Sequence, residues 1–276
     1  MSSKAMSLKS RINQYAKRND LAAQVVLQNY MFERFLERLS ASDYQNKFVI
    51  KGGMLIAAIV GLDSRATMDL DTTLRDLPLT EDKIQEAITT ICGIKLNDEV
   101  SFKLVSITPI RKDDPYGGFS VRLDALFDTI VTPLSIDIST GDVMTPDAIN
   151  YELMGIFDDT VRFKLWGYNI ETIMAEKVET ILSRGTFSTR PRDYYDIYIL
   201  ATTQKFDKGL FGRALRATAE HRGSVGLIFP YEEIMVRISE SSDLRQQWEK
   251  YQKKFNYAKN ISYEEIIEKL KYILAC

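Results

Sequence analysis

A chain of 276 residues is long enough for one or two domains with a buried core, and its 45% apolar and 27% charged residues exclude a disordered or fibrous protein. With 36 Lys and Arg against 38 Asp and Glu the net charge is −2, so a polyanion would have to be met by a local basic patch. Two cysteines, Cys92 and Cys276, and a single histidine, His221, exclude a disulfide framework and a cysteine-rich zinc site and leave carboxylates, lysine and arginine to carry the chemistry.

Lys4, Lys9 and Arg11 are followed by no apolar stretch, and no run approaches the roughly 18 residues of a membrane span. The expectation is a cytoplasmic protein with no membrane partner. Residues 1–150 hold 15 Asp and 5 Glu, whereas residues 151–276 hold 6 Asp and 12 Glu. Glu suits helix interiors, while Asp favours caps, turns and sites. An α/β domain over 1–150 with N-terminal helices is therefore expected, followed by a mainly helical domain over 151–276, with the join near residues 145–159.

In chain order, residues 21–39 carry Val25, Val26, Phe32, Phe35, Leu36 and Leu39 near helical spacing, with Asn19 or Asp20 as the cap. Phe48-Val49-Ile50 reads as a short buried strand that runs through Lys51 into Gly52-Gly53 and an apolar helix from Met54 to Ile59. A second helix follows over 81–91, capped by Thr80. Period-2 alternation predicts strands over 101–107, 119–127 and 134–139, the first two joined by a turn at 113–118. Beyond Asn169 the pattern is helical, with Pro191 in the first turn of a further helix.

Asp69-Leu70-Asp71 puts two carboxylates on one face of an extended segment, where they repel one another unless a divalent cation intervenes. The glycine pair before it would let a phosphate approach backbone N–H groups at a helix N-terminus. Asp137 stands between Ile136 and Ile138 in a buried-looking strand, an expensive place for a charge unless it is paired or metal-bound. Asp124 competes for that role, although Arg122 beside it suggests a simple ion pair. Lys177 falls inside the apolar stripe of Ile170, Ile173, Met174, Val178 and Ile181. Snorkelling accounts for it as well as does a lysine that holds a triphosphate. Asp193 and Asp196 share a face with Ile197 and Leu200; helix-dipole compensation and a pair between Asp196 and Arg192 are the bland account. Tyr194, Tyr195 and Tyr198 suit core packing or base stacking, and His221 an exposed helix end.

Taken together, Lys51-Gly52-Gly53, Arg65-x-Thr67-x-Asp69-Leu70-Asp71, Asp137, Ala175-Glu176-Lys177 and Arg190-x-Arg192-Asp193-x-Tyr195-Asp196 resemble the AbiEii/AbiGii toxin family of abortive-infection and toxin–antitoxin systems, over about residues 20–200. The resemblance implies a polymerase-β-type nucleotidyltransferase core sheet with flanking helices, followed by a helical C-terminal domain. It implies Asp69, Asp71 and Asp137 as ligands of Mg²⁺, with Mn²⁺ as an alternative. Lys51, Gly52, Gly53, Arg65, Thr67, Lys177, Arg190 and Arg192 become nucleotide-binding residues, and Asp193 and Asp196 catalytic residues of which either could be the indispensable one. The usual Gly-Ser of the wider superfamily is Gly52-Gly53 here, with a longer gap to the Asp pair, so backbone N–H groups must replace a serine hydroxyl.

The function implied is transfer of a nucleotide from an NTP, with GTP favoured, to an RNA acceptor such as tRNA, arresting growth during phage infection. A cognate antitoxin is implied, without direct binding. Arg162, Lys164, Arg184, Arg190 and Arg192 are candidates for an RNA-facing patch. Transfer to a protein or small-molecule hydroxyl, and a GTP-binding regulator without turnover, are the alternatives.

Overall fold

The structure, a computed structural model, describes residues 3–110 and 117–275. The chain forms two units, Met1–Asp142 with Ile149–Gly167, and Val143–Ala148 with Tyr168–Cys276.

In the first unit, α1 (Ser3–Arg18) and α2 (Ala23–Ser40) precede β1 (Phe48–Lys51) and α3 (Gly52–Val60). Then come β2 (Leu70–Leu74), α4 (Glu81–Gly93), β3 (Ser101–Ile110), β4 (Gly118–Phe127), β5 (Ile130–Thr140), β6 (Ile149–Met154) and β7 (Arg162–Gly167). Among the described residues the strands make one seven-stranded sheet in the order β3-β4-β5-β2-β1-β7-β6. β1 pairs antiparallel with β2 and parallel with β7, and β2 pairs parallel with β5.

Alternation along β5 buries Thr132, Leu134, Ile136 and Ile138 on one face and leaves Val131, Pro133 and Asp137 exposed on the other. The amphipathic helices supply the cover: α2 packs on β5 and β7, α3 on β1 and β2, and α4 on β3. The helix over 81–91 appears as expected, with the Thr80 side chain accepting from the Lys83 N–H. α2 begins two residues later than predicted, and Ala22, rather than Asn19 or Asp20, stands at its cap without a side-chain hydrogen bond. Of the expected turn, residues 113–116 lie outside the described residues, as does Cys276. Burial pushes the Cys92 thiol up to about 12, so it stays protonated at neutral pH.

The expected break at 150 is not where the units part. β6 and β7 form an antiparallel hairpin, and Gly167 pairs with Ile50 of β1, so residues 149–167 belong with the sheet. Sequence reading missed both strands because each is only six residues long: β7 alternates, with Phe163 and Leu165 buried between exposed Arg162 and Lys164, but too briefly to stand out, and β6 has no buried position at all.

In the second unit, α5 (Ile170–Arg184), a 3₁₀ turn at Gly185–Phe187, α6 (Pro191–Thr203), α7 (Lys208–His221), α8 (Val225–Ile228), α9 (Glu232–Glu240), α10 (Ser242–Lys254) and α11 (Tyr263–Leu274) form a helical assembly. Asn169 caps α5 by accepting from the Thr172 N–H at 2.8 Å. α6 packs against α5, α10 and α11.

The polar anchor of the first unit is Arg38 of α2, which is 1% exposed. Its guanidinium holds both Asp98 oxygens at 2.7 Å and donates to the carbonyls of Ile94, Arg34 and Val100 at 3.0, 2.9 and 2.6 Å. Every donor edge is used, which is the condition under which a buried guanidinium is tolerated. Arg38→Met strands the Asp98 carboxylate and should lower unfolding free energy by about 3–5 kcal/mol, read as a fall in the urea midpoint.

Candidate active site

The first cluster is built on strand register. Asp71 of β2 lies opposite Asp137 of parallel β5, Asp137 lies opposite Ser120 of β4, and Lys51 of β1 lies opposite Asp71. Lys51, Asp71, Asp137 and Ser120 thus form one row across four strands, on the face opposite Leu70 and Ile136. The Ser120 hydroxyl donates to Asp137 Oδ1 at 2.7 Å and lies 3.2 Å from the Ser135 hydroxyl. Lys51 Nζ donates to the Ser139 hydroxyl at 2.8 Å and pairs with Asp142.

The glycine pair makes room for neighbouring side chains. Gly52 has φ +67°, and a Cβ there would stand 2.1 Å from Asp71 Oδ2. A Cβ on Gly53 would stand 2.7 Å from Thr67 Oγ1 and 3.0 Å from Arg65 Nη2. Side chains occupy the space, and the Asp71 carboxylate faces the positive end of the α3 dipole. Arg65 and Thr67, expected to contact nucleotide, are buried at 2% and 4% exposure and pack beneath the start of α3. Their segment is pinned from α2: the Asn29 amide donates to the Thr67 carbonyl at 2.7 Å, and Gln28 to the Met68 carbonyl at 3.2 Å.

Asp69 precedes β2 at an exposed position. The oxygen donors of Asp69, Asp71 and Asp137 are the chemistry a hard cation takes. Strand register brings Asp71 and Asp137 together, and Asp69 stands two residues ahead of Asp71 on the approach to β2; among the described residues no group of three His, Cys, Asp or Glu is already gathered in a ligand geometry. Without a cation three carboxylates repel, and Ser120 orients Asp137. The competitor Asp124 lies opposite Lys103 and Pro133, four residues along β4 from Ser120 and away from this row. A mostly apolar cavity of about 310 Å³, walled by Leu36, Met54, Leu55, Phe163 and Leu165 with Glu33, includes none of Asp69, Asp71, Asp124 and Asp137.

The second cluster is in the helical unit. Lys177 Nζ lies 2.7 Å from Asp196 Oδ2 and 3.0 Å from Asp193 Oδ1, and Arg190 Nε lies 2.7 Å from Asp193 Oδ2. Side-chain exposure is 0% at Asp196, 13% at Lys177 and 3% at Asp193, and reaches 53% at Arg190. Lys177 neither snorkels nor presents its charge, because two buried carboxylates hold it. Asp196 pairs with Lys177, whereas Arg192 stands over the Phe255 ring, 5.8 Å from its centroid. Tyr194 and Tyr195 are buried, Tyr195 against Tyr257 at 4.7 Å between ring centroids, so neither stacks on a base.

Of the proposed basic patch, Arg162 and Lys164 are exposed on β7 of the first unit and Arg184 and Arg190 in the second. Sequence reading missed Gln28, Asn29, Ser120 and Ser135. The one signal available was Asn29 interrupting the apolar stripe at four residues from Val25. Lys177→Met removes the cation from Asp196 and leaves Asp193 with Arg190 alone, and should cost about 3–5 kcal/mol in denaturant unfolding, with the double change Lys177→Met, Asp196→Asn recovering part of the loss.

Comparison with known proteins gives the family. The family model for the nucleotidyl transferase AbiEii toxin of type IV toxin–antitoxin systems matches residues 34–269. Among solved structures the chain is similar to a protein from H. pylori assigned as a nucleotidyltransferase, at TM-score 0.50 and 17% identity, over 92% of this chain and 96% of that one. JHP933 from Helicobacter pylori follows at 0.49 and 17%, over 92% and 93% of the two chains. An antigenic nucleotidyltransferase-like protein from Paracoccidioides brasiliensis gives 0.42 and 15%, over 72% and 90%. At such identities the first of these likenesses speaks for the fold alone. No curated protein matches the chain in sequence. The family model spans both clusters and most of the chain, and the chain therefore belongs to the AbiEii family of nucleotidyltransferase toxins of type IV toxin–antitoxin systems.

Proposed function

We propose that this nucleotidyltransferase is a Mg²⁺-dependent enzyme that moves a nucleotide from an NTP, with GTP as the first candidate, onto an RNA hydroxyl, tRNA being the acceptor class to test. The observation that carries the reading is the register pair Asp71–Asp137, set against the glycine turn and the N-terminus of α3. Asp71 and Asp137, with Asp69 beside them in sequence, would hold the cation, which supplies charge neutralisation on the triphosphate and the departing pyrophosphate. Mn²⁺ offers the same octahedral oxygen chemistry.

The chain's own groups do the rest. Asp137, oriented by Ser120, takes the proton of the acceptor hydroxyl as that oxygen attacks the α-phosphorus in line and the bond to pyrophosphate breaks. Gly52 keeps the Asp71 carboxylate in place. In the helical unit Lys177 is a positioning residue: it holds Asp193, which holds Arg190, whose remaining N–H donors meet phosphate oxygens. Asp196 closes the buried end of that chain, so Asp193 acts on Arg190 and Asp196 on Lys177. Membership of a type IV toxin family implies a cognate antitoxin, for which direct binding is not needed.

Incubation with total bacterial RNA, Mg²⁺ and each of four α-labelled NTPs should put label into a discrete RNA band. Asp71→Asn and Asp137→Asn should each lower the rate by roughly 100-fold or more, and Ser120→Ala by less. Label in protein or small molecules, with none in RNA, would overturn the acceptor and retain the chemistry.

A further inference from the structure

We infer that the turn between α5 and α6 is a platform for single-stranded RNA, on which Phe187 stacks against a base and Arg184 and Arg190 take backbone phosphates. The inference rests on the RNA-acceptor reading above. Among the described residues Phe187 is the most exposed large apolar side chain, at 90%. A phenyl ring left in water contributes nothing to the core. Its exposure is imposed by the framework: Gly185 turns the chain at φ +51°, and Ser188, 0% exposed, anchors the other side through its N–H to the Gly185 carbonyl at 3.3 Å.

Within the turn itself the charge is of one sign. Residues 183–192 read Ser-Arg-Gly-Thr-Phe-Ser-Thr-Arg-Pro-Arg, with three arginines and no acid. The acids of the flanking helices are engaged, Glu176 and Glu179 by Arg222 and Asp193 by Lys177 and Arg190. α9, which packs beside the turn, brings Glu232 and Glu233 together with Arg237, which pairs with Glu233 at 4.0 Å.

Arg190 is fixed before any ligand arrives. Its Nε lies 2.7 Å from Asp193 Oδ2 and its Nη2 3.5 Å from Oδ1, which engages one edge of the guanidinium and leaves the Nη1 donors for another acceptor. A planar fork held in this way suits a phosphate better than a mobile ammonium does. An aromatic ring accepts any base by its π-face, and only unpaired bases can reach it, so ring plus fork fits a single strand rather than a duplex. A protein surface would match the ring, but not the excess of arginine around it.

The test uses the full chain, a short unstructured RNA oligonucleotide with a 5′ fluorophore, and anisotropy across a salt series. Wild-type protein should bind, and Phe187→Ala should weaken binding roughly tenfold. Phe187→Trp should retain binding, with its added fluorescence quenched by the RNA. Arg184→Ala and Arg190→Ala should each weaken binding and reduce the slope against log salt by about one. Melting temperature and its NTP-dependent shift should be unchanged in Phe187→Ala, which separates the surface from the fold and from the nucleotide site. Equal RNA binding by Phe187→Ala and wild type overturns the platform, as does wild-type protein that responds to NTP but binds no RNA. A loss in Phe187→Ala confined to a complex with a protein partner overturns it too. RNA binding that depends on Phe187, with no label transferred to RNA, upholds the platform and removes the acceptor reading instead.

Discussion

The carboxylate of Asp71 stands where a side chain at position 52 would have to be, and much of the first unit is arranged around that contact. Gly52 meets it twice over, by a left-handed φ of +67° and by the absent Cβ that would fall 2.1 Å from Oδ2. Gly53 repeats the arrangement one residue on, giving its space to Thr67 and Arg65. The two halves of the motif, Lys51-Gly52-Gly53 and residues 65–71, are therefore one packed object, joined by close approach of side chain to backbone. Asn29 and Gln28 of α2 then fix the strand approach from the other side, through the carbonyls of Thr67 and Met68 ahead of β2.

The helical unit solves a different electrostatic problem. Four charges, Asp196, Lys177, Asp193 and Arg190, alternate in sign from an interior position to the surface. Burying any one alone would be prohibitive, and burying them as a chain spreads the desolvation cost over three ion pairs. Such a cluster contributes little net stability relative to apolar packing, but it fixes geometry. Its one exposed member inherits an orientation that a solitary surface arginine would lack, and this turns a buried lysine into a device for aiming an arginine.

Both clusters use what the composition left available. With one histidine and two cysteines, both clusters are built from carboxylates, hydroxyls, lysine and guanidinium groups. The serine hydroxyl on Asp137 and the aspartate on Arg190 play similar parts, since each fixes the direction of a charged group that is open to solvent.

The sequence by itself determined the α/β core, the helical end, the strand-to-helix glycine turn and the identity of the charged residues, because these are written in periodicity, caps and residue type. Thr80, Asn169 and Pro191 each stand where local chemistry puts them. Tertiary structure alone decided who meets whom. Asp71 and Asp137 are far apart in the chain and become neighbours only through parallel pairing of β2 with β5, and Ser120 joins them only through the register of β4. The position of Lys177 in an apolar stripe shows that its charge is unusual without showing which partner answers it, and the partners, Asp193 and Asp196, lie 16 and 19 residues on. β6 and β7 were lost because each is only six residues long and β6 buries none of its side chains, and it is pairing of β7 with β1 that joins the hairpin to the sheet. Local pattern fixes which groups are present; partners distant in sequence are fixed only when backbone hydrogen bonds and close packing select one register.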